Sequence, residues 1–196
     1  SIEECFLGGF GPGRLPGIPE KRLGRIVGLV CPHAGYVYSG PAAAHAYCAL
    51  ADDGLPDVAV IIGPNHHGIG AAVAVSPDAE WITPLGTLNV DMEIAESIAR
   101  LSRFAVLDDV AHLREHSVEV QAPFLQFIGG AAPPSPQPSL RLGSGQAPPA
   151  VSAVSAVSAV SGKGFPETTT TVRIVPIAIA HLHMDEALLL SADLGE

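Results

Sequence analysis

Apolar runs alternate along the chain with stretches that have helical spacing. Two continuous apolar runs predict buried strands, RIVGLVC at residues 25–31 and DVAVIIG at residues 57–63. After the first run, Gly40-Pro41 is expected to open an Ala-rich helix, because proline lacks an N–H that the first helical turn does not use. Two shorter runs at 70–76 and 80–90 predict further strands that are partly antiparallel.

The later part of the chain continues this alternation. Asp91 is expected to cap an amphipathic helix, MEIAESIARLS, and a second helix is predicted over 112–128 with Pro123 interrupting it. A late apolar strand is predicted at 172–180 and a helix at 184–194. Apolar strands that alternate with helices predict an α/β fold in one domain over 1–196. Its central sheet is mostly parallel or mixed, with helices on both faces.

One segment does not fit this pattern. Residues 130–171 are rich in Pro, Ser, Ala and Val and contain a Val-Ser-Ala repeat. A period of three matches neither a strand nor a helix, so the segment is predicted to be a flexible surface insertion that can be deleted with little loss of stability. The alternative is a short added β-ribbon, because valine favours strands.

Composition narrows the class of protein. The chain of 196 residues is 47% hydrophobic with a mean hydropathy of +0.34, which is typical of a globular domain. No apolar run approaches the roughly 20 residues of a membrane span. Ten basic and twenty acidic side chains give a net charge of −10, which argues against a nucleic-acid partner. Cys5, Cys31 and Cys48 are odd in number and far apart, which favours free thiols in a reducing cytoplasm.

Histidines follow both predicted strands at the same place. His33 comes one proline after the first strand, and His66 and His67 come after Pro64 and Asn65 at the end of the second. Because the carboxyl ends of parallel strands meet at one edge of a sheet, the three imidazoles are expected to converge. They would then hold a divalent metal or form an acid/base pair. The alternative is that these are solvated loop residues or helix caps.

A third histidine pattern competes with this site. Residues 112–116 read H-x-x-E-H, the order found in inverted zinc metallopeptidases, where both histidines lie on one helical face beside a glutamate base. That interpretation needs another carboxylate ligand downstream, and no candidate comes with a supporting motif. The alternative is the start of a helix with paired charges and a buried polar His116. Ser117 as a hydrolase nucleophile lacks the flanking glycines of a nucleophile elbow.

Five segments in order resemble the motifs of the Memo family, and they cover most of the chain outside residues 130–171. They are PHAGYVYSGPAAAHAY, IIGPNHHG, WITPLGTLNVD, EHSVEVQAPFLQ and IVPIAIA. The family resembles protein B of the prokaryotic AmmeMemoRadiSam set. The other members of that set are an Ammecr-type protein and a radical-SAM protein. The fold of the Memo family resembles the class III extradiol dioxygenases of the LigB type.

The resemblance implies a set of site residues and a cofactor. His33 and His66 would be metal ligands for Fe(II) or copper, and His67 and His116 would be catalytic. The same pocket would be lined or braced by Asn65, Glu115 and Tyr36. The implied activity is redox or dioxygenase-like on an unknown small molecule. The alternative function is a module that binds a ligand or phosphopeptide without turning it over.

The chain also departs from the family pattern at both ends. It lacks the family's early Gly-x-Phe/Trp-Tyr motif, the later Ser-Ser-Asp-Phe-Ser-His strand and the cysteine that resembles the third metal ligand. It is therefore expected to be a fragment, truncated at both ends, with two histidine ligands and no third protein ligand. We expect weak metal affinity and no turnover from it, unless another chain, for example in a homo-oligomer, supplies the missing part.

Overall fold

The computed structural model describes residues 1–130 and 172–180. Its strands are β1 Val58–Pro64, β2 Val73–Val75, β3 Glu80–Thr83, β4 Gly86–Asn89, β5 Ala105–Leu107 and β6 Arg173–Ile179. Its α-helices are α1 Ile2–Leu7, α2 Tyr36–Asp53, α3 Met92–Leu101 and α4 Ala122–Ile128. Two short 3₁₀ helices cover Val110–His112 and Glu119–Gln121.

The main sheet has four strands in the order β1-β6-β2-β5. β1 pairs in parallel with β6, from Val58 opposite Arg173 to Pro64 opposite Ile179. β2 is antiparallel to β6 and parallel to β5. The sheet is therefore mixed, and the predicted α/β class with a mixed central sheet is confirmed.

The core is built on β6 and the helices. β6 is buried from Ile174 to Ala178 on both of its faces, which explains why its sequence is a continuous apolar run instead of an alternating one. Away from the sheet, Phe6 of α1 packs edge-on against Phe124 of α4, and Tyr47 of α2 stacks on Phe124 with ring centroids 4.9 Å apart. These aromatic contacts join three helices into one packed layer.

The strand and helix structure predicted between residues 80 and 102 is confirmed by local hydrogen bonds. The run at 80–90 folds into the β3–β4 hairpin, with Trp81 opposite Leu88. Asp91 caps α3, since its Oδ1 accepts a hydrogen bond from the Ile94 N–H at 3.0 Å. The second carboxylate oxygen of Asp91 lies 2.6 Å from Arg173, which ties this cap to β6.

The strand predicted at residues 25–31 is wrong. The segment RIVGLVC pairs with no strand among residues 1–130 and 172–180, and most of it is exposed. Val27 and Val30 are 101% and 99% exposed. An apolar run forms a strand only when it hydrogen-bonds to a neighbouring strand, and this segment makes no such bonds to β1.

The first long helix begins earlier than predicted. α2 starts at Tyr36, so Pro41 is its sixth residue and does not open it. Proline gives no N–H to the carbonyl of Val37 four residues before it. Val37 is exposed in the first turn, where water can replace that hydrogen bond.

The helix predicted over 112–128 is wrong in its first part. Residues between the two 3₁₀ helices form turns, and α4 begins at Ala122 with Pro123 in its first turn, where proline is favoured. The N–H groups of His116 and Ser117 donate to the side chain of Glu115 instead of to backbone carbonyls. This diversion ends any regular helix through that stretch.

Two other predictions cannot be compared with the structure. Residues 131–171, which make up nearly all of the predicted insertion, and the helix predicted at 184–194 lie outside the described residues. Among the helices that are described, none combines the length and the apolar character needed to cross a bilayer.

Candidate metal centre

The loop after β1 is held by the side chain of Asn65. Its Oδ1 accepts a hydrogen bond from the Gly68 N–H at 2.9 Å, and its Nδ2 donates to the Ile69 carbonyl at 2.7 Å. The backbone N–H of Asn65 donates to Ile179, the last residue of β6. Asparagine is well suited to such a turn because its side chain mimics a backbone turn. His66 is therefore presented on a loop fixed at both ends.

Three imidazole rings converge next to this loop. The ring centroids of His33 and His66 are 5.1 Å apart, those of His66 and His116 are 5.2 Å apart, and those of His33 and His116 are 6.4 Å apart. The rings of His66 and His116 are nearly parallel. Three separate parts of the chain therefore contribute one imidazole each to a single cluster.

The side chain of Glu115 holds the histidine cluster in place. Its carboxylate is 1% exposed and accepts hydrogen bonds from the Nδ1–H and the backbone N–H of His66, at 2.9 Å and 2.6 Å. It also accepts from the backbone N–H groups of His116 and Ser117, both at 2.9 Å. Burial by itself raises the pKa of this carboxyl, but these hydrogen bonds outweigh burial and lower the pKa to about 2. Glu115 is ionised at neutral pH.

The hydrogen bond to Glu115 also sets the tautomer of His66. With Nδ1 donating to the carboxylate, the lone pair of Nε2 remains available to a ligand or an ion. Metal-binding histidines commonly donate their other ring N–H to a carboxylate, which orients the ring and makes it more basic.

The donor set fits a divalent ion. One donor atom from each of His66, Glu115 and His116 lies within 4.8 Å of the other two. Imidazole and carboxylate donors together suit zinc, iron and copper. His33 is not part of this tightest group, although its ring faces both histidines.

The other predicted site residues lie outside the ring cluster. His67 is exposed, and its ring contacts none of the three clustered rings. Tyr36 starts α2, and its hydroxyl donates to the Val120 carbonyl at 3.2 Å. Burial, with a smaller contribution from Glu119, raises the pKa of Tyr36 to about 12. Tyr36 therefore braces the helix beside the site as a neutral phenol.

The H-x-x-E-H pattern does not form a peptidase site in this fold. His112 ends a 3₁₀ helix, and its Nε2 lies 3.2 Å from the carbonyl of Ala74, on the side of Trp81. Burial lowers the pKa of His112. Glu115 and His116 instead face His66, so the two histidines of the pattern do not share a helical face.

Ser117 and Gln121 hold the loops that carry the histidines. The sequence patterns did not indicate this role for either residue. The Ser117 hydroxyl donates to the Pro64 carbonyl at 2.8 Å, just before the His66 loop. Gln121 donates from Nε2 to the Pro32 carbonyl at 3.2 Å, just before His33, and accepts from the Tyr47 hydroxyl at 2.8 Å. The only sequence signal for Gln121 is a polar residue inside the apolar stretch VQAPFL.

Comparison with known proteins identifies the family. The family model described as Memo-like protein matches residues 1–137. A MEMO1 family protein of Methanobrevibacter smithii is 52% identical over 129 residues, which are 65% of this chain and 46% of that protein.

Two further relatives agree. A MEMO1 family protein of Thermotoga petrophila is 53% identical over 130 residues, 66% of this chain and 47% of the relative. One of Sulfurisphaera tokodaii is 49% identical over 128 residues, 65% and 45% of the two chains. The chain thus spans a little under half the length of the curated relatives it matches. The match covers β1 to α4 and all four residues of the histidine and glutamate cluster, and the chain belongs to the Memo family.

Proposed function

We propose that the cluster of His33, His66 and His116 with Glu115 binds a redox-active divalent metal, iron or copper. The observation that carries this proposal is the bracing of His66 by the buried, ionised carboxylate of Glu115, which leaves Nε2 of His66 free. The geometry resembles the support that proteins give to metal-binding histidines.

The proposed activity of the whole protein is oxidoreductase chemistry of the dioxygenase type on a small molecule. Iron held by the imidazoles, with Glu115 bracing His66, would leave coordination positions open to dioxygen and substrate. The side chains of His66 and His116 are 42% and 49% exposed, so a small molecule can reach their free edges. Exposed His67, next to His66, is the proposed proton-transfer group, and His116 is the second proposed catalytic histidine.

Each residue of the site has a separate task in this proposal. Nε2 of His66 binds the ion, with its ring orientation set by Glu115. His33 approaches from the opposite side, as its tilted ring at 5.1 Å allows. Asn65 keeps the loop rigid through two hydrogen bonds. The three free thiols, of which Cys5 and Cys48 are buried, support a cytoplasmic location for the protein.

Anaerobic calorimetric titration with Fe(II), and separately with Cu(II), tests the metal site. We expect one ion per chain, and a loss of affinity of at least tenfold in His66→Ala, since losing one supported ligand costs about that much. The matched control is His45→Ala, because His45 is an exposed histidine of α2 whose ring contacts the Phe10 carbonyl. Equal affinity in wild type and His66→Ala would refute the proposed site.

A second candidate function is ligand binding without turnover. It is favoured by a cavity of about 250 Å³ that reaches His33, Cys31 and Gln121 and is otherwise lined mainly by apolar side chains. Oxygen consumption by the metal-loaded protein would establish the first function over this one, because a binding module consumes none.

A further inference from the structure

His112 is a largely buried titratable side chain that the proposed metal site does not use. It is the first histidine of the H-x-x-E-H pattern, three residues before Glu115, and it ends the 3₁₀ helix Val110–His112. Its Nε2 lies 3.2 Å from the carbonyl oxygen of Ala74, the middle residue of β2. A carbonyl oxygen can only accept, so Nε2 carries a proton and donates it. This hydrogen bond ties the end of the 3₁₀ helix to the main sheet.

The other ring nitrogen of His112 has no partner. Nδ1 is buried, and no group in the part of the chain that the structure describes forms a hydrogen bond with it. Burial lowers the pKa of His112 and outweighs the Ala74 carbonyl and the carboxylate of Asp108, which raise it, so the ring is neutral at neutral pH. His112 is therefore the Nε2–H tautomer. His66 is the opposite tautomer, since its Nδ1–H donates to Glu115.

A closed chain of hydrogen bonds joins His112 to the His66 loop. At the far end of that loop, the backbone N–H of Ala71 donates to the carboxylate of Asp108, just before the 3₁₀ helix. At the end of the 3₁₀ helix, the carbonyl of His112 accepts from the backbone N–H of Glu115 at 3.3 Å. The carboxylate of Glu115 then accepts from the backbone N–H of His66 at 2.6 Å. One short segment therefore holds the His66 loop at both ends, and His112 attaches this segment to β2.

Close packing fixes the position of this segment. Gly70 has a φ of +76°, and a Cβ there would lie 2.5 Å from the Asp108 carboxylate and 2.7 Å from the backbone nitrogen of Ala111. Ala111 is 1% exposed and packs against alanines of β2 and β6 in a small buried cluster. The ring of Trp81 stands edge-on to that of His112, with centroids 5.7 Å apart and planes at 77°. The imidazole of His112 is thus held by a hydrogen bond at Nε2 and by an aromatic contact.

We propose that His112 is a positioning residue for the metal site, because its hydrogen bond to the Ala74 carbonyl holds the turn at 113–116 where Glu115 can brace His66. His112 does not touch the ion and acts only through Glu115. Groups that orient a metal-binding histidine typically change metal affinity by 10- to 100-fold when they are removed. This inference rests on the proposed metal-binding function, and it gives the first histidine of the H-x-x-E-H pattern a role other than that of a zinc ligand.

Three substitutions separate the hydrogen bond from the packing around it. His112→Phe keeps a ring beside Trp81 but has no N–H for the Ala74 carbonyl. His112→Gln is the conservative variant, because its amide nitrogen stands about as far along the side chain as Nε2. Ser76→Ala is the matched control, since it removes the acceptor of the Trp81 indole N–H, now 3.0 Å away, and leaves the contact between His112 and Ala74 intact.

Nitrogen-15 NMR of the metal-free protein at pH 8 reads the positioning directly. We expect His66, assigned with His66→Ala, to be the Nδ1–H tautomer in the wild type, His112→Gln and Ser76→Ala. In His112→Phe it should become a mixture of both tautomers, because Glu115 no longer stays within reach of Nδ1. An unchanged tautomer of His66 in His112→Phe overturns the inference, and so does an equal change in His112→Gln or Ser76→Ala.

Anaerobic calorimetry with Fe(II) alone then measures the effect on the site. We expect at least tenfold weaker binding in His112→Phe and a change within about twofold in His112→Gln and Ser76→Ala. Equal Fe(II) affinity in the wild type and His112→Phe overturns the inference and leaves the metal site intact, whereas absence of Fe(II) binding by the wild type overturns the metal site itself. If circular dichroism shows that His112→Phe does not fold, His112→Asn replaces it, since its amide ends one bond short of Nε2.

Discussion

The two loops that carry His33 and His66 are held in very different ways. The His66 loop leaves a strand with seven paired residues in β1, and its own groups donate to Glu115, Ile69 and Ile179. The His33 loop follows residues 27–31, whose backbone pairs with no other described residue, and one hydrogen bond from Gln121 holds Pro32. Two similar sequence patterns therefore produce one ligand loop with many hydrogen bonds and one with few.

This difference shows what a metal site needs from its scaffold. A ligand on a paired strand is preorganised, whereas a ligand on an unpaired segment costs ordering entropy when it binds. If the cluster binds an ion as proposed, the His66 loop would fix its position, and the less supported His33 loop would be the one that adjusts. Each experiment below removes or tests one support of this contrast, beginning with the largest expected effect.

Glu115→Ala should disrupt the His66 loop. The substitution removes a buried carboxylate and leaves the N–H groups of His66, His116 and buried Ser117 without their acceptor, so we expect the free energy of unfolding to fall by about 3 to 5 kcal/mol. Urea denaturation measures this loss. Glu96→Ala, on the exposed side of α3, is the control and should change it by less than about 0.5 kcal/mol.

The same carboxylate should make stability depend on acid pH. The pKa of Glu115 is lowered to about 2 in the folded protein, so the unfolded chain binds the proton first as the pH falls. Stability that is complete above about pH 5 should decline towards pH 2, by a total on the order of 3 kcal/mol from this group.

Urea titrations of the wild type and Glu115→Gln between pH 7 and pH 2.5 measure this decline. The variant should show a smaller slope in the same interval, because its side chain takes up no proton. Identical slopes would mean that Glu115 is not the group responsible.

Gln121→Ala should loosen the His33 side alone. It frees the Pro32 carbonyl and leaves the buried Tyr47 hydroxyl without its acceptor, which costs about 1 to 3 kcal/mol of unfolding free energy. Tyr47→Phe combined with Gln121→Ala separates the two losses. Fe(II) affinity should fall in Gln121→Ala and stay unchanged in Tyr47→Phe; a fall in both would show that the helix packing, not the Pro32 contact, matters.

Substitutions in residues 25–31 should have the smallest effect. Val27→Ser removes a side chain that is fully exposed, so the melting temperature should change by about 1 °C or less, as surface changes usually do. Val175→Ser in β6, where valine is fully buried, is the counterpart and should lower stability by roughly 2 to 4 kcal/mol. A large loss in Val27→Ser would show that Val27 is packed against the rest of the protein.

Local patterns predicted the elements whose interactions are short in sequence. The cap of α3 by Asp91, three residues from its donor, was predicted and observed. Partly antiparallel strand structure was predicted at 80–90, where β3 and β4 pair as an antiparallel hairpin. The convergence of His33 with His66 was also expected from the two apolar runs, and the rings do meet. The catalytic and ligand roles assigned to these residues and to His67 stay predictions.

The sequence by itself determined which stretches are apolar, where helices are capped and which histidines follow apolar runs, because these properties depend on neighbours within a few residues. Only the tertiary structure decided that residues 25–31 pair with no described strand, that α2 extends back to Tyr36, and that Glu115 braces His66. Glu115 and His66 are 49 residues apart, and Gln121 and Pro32 are 89 apart. No local periodicity encodes such pairs, since their hydrogen bonds exist only after the core has brought distant backbone together.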